Sequence, residues 1–161
     1  MGWHAWRAGA LAVAILLTLT GSASADDRQA GYYYPKPKSS ELYVALARTL
    51  IDSDRSRRIS FVNDFTAAQY ARPQEPPVAL FAKGDQAEKL IIVSLNDGYA
   101  NTLYRMRGLL AMMTSVVRQT DLFRSLEVDE LFTFIDLLKM LGFKQLTLTN
   151  GRDFAHQVFI R

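Results

Sequence analysis

Val78-Ala-Leu-Phe-Ala-Lys-Gly-Asp-Gln-Ala-Glu-Lys-Leu-Ile-Ile-Val-Ser-Leu95 decides the fold class. Val78–Ala82 and Leu90–Leu95 are short apolar runs rich in branched and aromatic side chains, as buried strands are. Gly84-Asp85 starts a turn between them, so the two strands pair antiparallel. Asn96-Asp97-Gly98 ends the second strand. A lone hairpin is marginal in water, so further elements must cover it.

Toward the C-terminus, the spacing predicts a helix over Asn101–Arg118, with Asn101 as its cap. Leu103, Met106, Leu109, Leu110, Met113, Val116 and Val117 project within one arc of about 140°. A second helix is expected from about Asp129 to Leu141. It has acids in its first turn, Lys139 near its end and Gly142 as its stop. On that wheel Asp129, Thr133 and Asp136 lie opposite Leu131, Phe134, Leu138 and Leu141, which turns Asp136 toward solvent. The chain closes with a hairpin. Leu146 and Leu148 alternate along Lys144–Thr149, and Phe154, His156, Val158 and Ile160 along the last strand. Matching the apolar faces requires even-numbered residues to pair with even-numbered ones, for example through a three-residue loop Thr149-Asn150-Gly151 with Gly151 left-handed.

Toward the N-terminus, Pro73–Pro77 is a proline-rich connector. Arg58-Ile-Ser-Phe-Val62 alternates and is expected as a strand, followed by one helical turn over Ala67–Ala71 capped by Thr66. Asp52–Ser56 forms a polar turn. Glu41–Leu50 is almost wholly apolar and fits a helix capped by Ser40 or a buried strand equally well. Asp26–Ser39 forms an extended arm, because Tyr32-Tyr33-Tyr34-Pro35-Lys36-Pro37-Lys38 cannot be helical through its prolines. Strands outnumber crossover helices. The expected fold is therefore α+β: a mainly antiparallel sheet with two main helices packed on one face, in a single domain over 40–161.

Residues 1–25 fit a cleavable signal peptide. His4 and Arg7 precede an apolar run, Ala10–Thr20; Gly21 breaks it, and Ala23-Ser24-Ala25 supplies a cleavage site. Eleven apolar residues span about 16 Å as a helix, against roughly 30 Å of hydrocarbon. The expected location is the periplasm or outside the cell, with no membrane span after cleavage. There is no cysteine, which excludes disulfides, thiolate nucleophiles, thiolate metal sites and an N-terminal lipid anchor. Nineteen Lys and Arg against 16 Asp and Glu give a net charge of +3, too balanced to imply a nucleic-acid partner.

His156 is the one histidine left after cleavage, and its strand face turns it toward the core. With no cysteine, a zinc site would need carboxylates, and no spacing supplies them; no metal or cofactor is expected. Arg105, Arg107 and Arg118 on the first helix and Arg58 in a basic cluster are candidates for holding an anion. Tyr32, Tyr33 and Tyr34 are candidates for docking another periplasmic protein. No Gly-x-Ser-x-Gly elbow or paired-acid motif is present.

Gly31-Tyr-Tyr-Tyr-Pro35, Phe81-Ala-Lys-Gly84, Glu88-Lys-Leu-Ile91, Asn101-Thr-Leu-Tyr-Arg105, Phe134–Phe143 and Phe154-Ala-His-Gln157 together resemble a family of small exported, essentially uncharacterised bacterial proteins. The similarity covers nearly all of the chain after residue 25. Some members bear the name molybdopterin-guanine dinucleotide biosynthesis protein A, which would imply an accessory part in molybdenum-cofactor metabolism. The cytoplasmic nucleotidyltransferase of that name has a glycine-rich loop after its first strand. This chain has none, so the resemblance implies no catalytic residue. The leading expectation is a binding or structural interaction module. The alternative is a small enzyme or anion-binding protein that uses the arginines and His156.

Overall fold

In a computed structural model, residues 35–96, 98–118 and 132–161 are described. Five strands form one sheet in the order β1-β5-β4-β3-β2. The strands are β1 (Ser39–Tyr43), β2 (Val78–Lys83), β3 (Lys89–Ser94), β4 (Gln145–Thr149) and β5 (Ala155–Ile160). Three helices are described: α1 (Arg55–Tyr70), α2 (Leu103–Arg118) and α3 (Phe134–Met140). The α+β class holds.

The sheet is mixed. β2 pairs β3 and β4 pairs β5 antiparallel, as the two turn signals require. β3 pairs β4 parallel, because the chain between them runs through α2 and α3 before returning in the same direction. β1 lies parallel to β5 and closes one edge. This tempers the expectation of a mainly antiparallel sheet.

Leu80, Leu90, Ile92, Leu146, Leu148 and Val158 share one sheet face and are almost wholly buried. They pack with Met106, Leu109, Met113 and Val117 of α2 and with Phe134, Leu137 and Leu138 of α3 in a single apolar cluster. The even-numbered pairing of the last hairpin is present: Leu148 faces His156 and Leu146 faces Val158. Its loop is longer than the three residues expected. It runs over 150–154, where Asn150 Oδ1 accepts from the backbone N–H groups of Arg152, Asp153 and Phe154 at 3.0, 3.1 and 3.0 Å. Gly151 is left-handed, at φ +72°.

Other expectations are corrected, resolved or narrowed. Arg58–Val62 is not a strand, and no separate turn begins at Thr66; both lie within α1. Asp54 caps that helix, its side chain accepting from Arg57 N at 2.8 Å. The alternation of Ile59 and Phe61 suggested period two. The inward positions are Arg58, Val62 and Gln69, with Phe61 and Phe65 against the core, and that stripe is helical. Glu41–Leu50 resolves into a short strand followed by a loop. α2 starts at Leu103, with Thr102 Oγ1 rather than Asn101 accepting from Arg105 N at 3.3 Å. The helix expected from Asp129 is described from Phe134, and residues 119–131 lie outside the described residues.

Asp136 overturns its wheel assignment, being 0 % exposed. Thr133 and Asp136 form a reciprocal capping box at the start of α3. Asp136 also accepts from Tyr43 Oη at 3.0 Å and from Leu46 N at 2.7 Å. Burial pushes its pKa up, but the donors from Thr133, Leu46 and Tyr43 outweigh this and hold it below the usual aspartate value. The carboxylate thereby joins the loop after β1 to the helix layer.

Candidate functional site

The sequence-derived candidates do not converge. Arg58 is 5 % exposed and turns inward. Its Nε donates to Gln86 O at 2.8 Å, and its Nη1 to Ser53 O and Leu141 O at 2.8 and 3.2 Å. It fastens α1 to two loops. Arg105 donates to Gly98 O at 2.8 Å, and Arg118 to Phe132 O at 3.0 Å. These three serve backbone carbonyls around them. Tyr32, Tyr33 and Tyr34 lie outside the described residues.

Arg107 alone approaches His156, through Glu41. Its Nη2 donates to Glu41 Oε2 at 2.9 Å. Glu41 Oε1 lies 3.3 Å from His156 Nε2, within ion-pair range, although Nε2 is out of line for a hydrogen bond. On the other side of the ring Nδ1 lies 2.8 Å from Ser39 Oγ. The carboxylate beside Nε2 favours a proton there, which leaves Nδ1 to accept from the Ser39 hydroxyl. Burial raises the Glu41 pKa, and the Arg107 and His156 contacts more than reverse this, so it sits below the usual glutamate value.

Ser39, His156 and Glu41 have the residue types of a nucleophile, a base and an orienting acid. Their placement is that of a fastening. Ser39 and Glu41 are both on edge strand β1, His156 is across the ladder on β5, and Arg107 reaches down from α2. The cluster ties the sheet edge to the helix layer. His156 is 2 % exposed, as its strand face foretold, with Leu148 as its cross-strand neighbour on β4. Among the described residues, no group of three or more His, Asp or Glu side chains is placed to hold a metal ion.

A site that sequence reasoning missed lies within the helix layer. A cavity of about 710 Å³ opens between α1, α2 and α3. Phe61 and Phe65 of α1, Met112, Met113 and Val116 of α2 and Leu137 of α3 line it. Val78, at the start of β2, and Pro76-Pro77 before it complete the wall. Arg57, Asp64, Arg72 and Glu75 are the charged lining residues among those described. Arg57 is already ion-paired with Asp52. Gln69, in the last turn of α1, is 8 % exposed, and its Oε1 is buried without a hydrogen-bond partner. A strand and a separate turn over this stretch would form no such wall. Only as one helix do Phe61, Phe65 and Gln69 fall on one side.

No family model, no curated protein and no solved structure matches the chain.

Proposed function

We propose that this is an exported binding protein whose ligand occupies the cavity between the three helices. The observation that carries this reading is the cavity itself. Its volume falls inside the range of small-molecule sites, about 300–1,000 Å³, and such sites are mostly apolar with a few polar groups. Hydrophobic side chains that enclose open space forgo the packing contacts a filled core would make. A ligand restores them. The leader-like pattern over residues 1–25 supports export.

The test is to isolate the protein, expressed with its own N-terminus, from periplasmic extract. Organic extraction and mass spectrometry then identify what it carries. One apolar compound at near-stoichiometric amount is the expected result. Ala68, exposed on α1, lines the same cavity. Ala68→Trp should expel that compound. Retention of the full amount by Ala68→Trp would place the ligand elsewhere and overturn the reading.

A further inference from the structure

Gln69 is the lining group that apolar packing does not explain. A leucine or methionine would fill its place in the α1 wall. Instead a carboxamide is 8 % exposed there, with Oε1 shielded and unpaired. A buried carbonyl without a donor carries an uncompensated desolvation penalty. The last torsion of a glutamine is broad and roughly two-fold, so rotation about it can turn Oε1 toward a ligand in the lumen. A ligand that supplies the missing donor removes that penalty in a mostly apolar wall.

The rest of the lining narrows the ligand. Its described charges are Arg57 and Arg72 against Asp64 and Glu75, so the mouth selects neither sign. The carboxamide of Gln69 offers an acceptor oxygen and two N–H donors; the oxygen is the unpaired atom, and a neutral amide N–H is a donor that answers it. The cavity takes Val78 of β2 into its wall.

We propose that the cavity takes an uncharged, apolar small molecule carrying an amide N–H, and that Gln69 is the specificity residue that recognises that N–H. This rests on the binding reading above and goes on to name the ligand class. The probes are N-hexylbenzamide and hexyl benzoate, which differ in N–H against O at one atom. Each is titrated by NMR into the full chain, into Gln69→Met and into Ala68→Trp. Wild type should bind the amide about tenfold more tightly than the ester, since the ester leaves Oε1 unpaired. Gln69→Met should bind both equally, and Ala68→Trp neither. Equal binding of the two probes by wild type would overturn the amide proposal and leave the cavity reading standing. So would an amide preference that survives in Gln69→Met. Failure of wild type to bind either probe, or binding untouched by Ala68→Trp, would overturn both. The wild-type ratio needs no variant, so a Gln69→Met protein that does not fold leaves the proposal testable.

Discussion

Asp136 shows how one buried carboxylate is made tolerable and then useful. Four donors reach it: Thr133 N and Thr133 Oγ1, each at 2.8 Å, Tyr43 Oη at 3.0 Å and Leu46 N at 2.7 Å. Asp136→Ala strands those donors and should lower unfolding free energy by about 3 kcal/mol in urea titration. The pH dependence has a fixed sign. Asp136 and Glu41 both have folded pKa values below their ordinary ones, so as pH falls the unfolded chain takes up protons first. Their contribution is whole above the unfolded values, about 4, and drains as pH falls through the lower folded values. Stability should therefore decline below about pH 4.5, and Asp136→Asn should flatten that decline. An unchanged acid slope would show that the carboxylate is not the linked group. His156 belongs to the same scale. His156→Gln removes the Ser39 contact and loosens the edge strand, at a cost of about 1.5 kcal/mol. Probe binding in the helix cavity should stay intact. Loss of that binding at unchanged stability would instead assign the ring a functional part.

Elements were legible where one period dominated. β2 and β3 were marked by apolar runs, β4 and β5 by alternation, with Pro77, Gly84, Asn96 and Asn150-Gly151 at their turns. α2 was marked by its stripe of Leu, Met and Val. α1 was not, because its inward face includes Arg58 and Gln69, and polar residues at core positions erase the 3.6-residue signal. The cavity went unseen with it. Asp136 failed for a related reason: a wheel assigns faces by polarity, and tertiary donors from β1 and the following loop cannot be read from α3 alone. Glycines test the assigned elements with opposite signs. Gly142, at φ +80°, ends the turn after α3, and a Cβ there would lie 2.6 Å from Arg58 Nη1 and 2.9 Å from Ser53 Oγ. Gly142→Ala should cost about 2 kcal/mol, combining backbone strain with disturbance of the Arg58 clamp. Gly108 sits exposed within α2, and a Cβ there meets nothing within 4 Å. Gly108→Ala should add about 1 kcal/mol. Thermal melts of the two variants on either side of wild type are the expected outcome. A stabilised Gly142→Ala would contradict the clamp geometry.

At the scale of the molecule, the order of the strands bears on export. The first strand, β1, pairs with the last, β5, and Ser39 meets His156 across almost the whole domain. Pairings of such long range form late, because the intervening chain must first be brought together. Until β5 is present, β1 has no partner in the sheet, and the segment before it is free of the ladder. The leader proposed over residues 1–25 lies ahead of β1 in the chain. Its apolar run, about 16 Å as a helix, falls short of a bilayer core of roughly 30 Å, and Ala23-Ser24-Ala25 offers the small residues a signal peptidase accepts. Among the described residues no helix is long and apolar enough to cross a membrane. When the full chain is expressed in a bacterium and recovered from the periplasmic fraction, its intact mass should correspond to a protein beginning at Asp26. A periplasmic species that keeps Met1–Ala25 would refute cleavage, and recovery of the whole population from the cytoplasm would refute export itself.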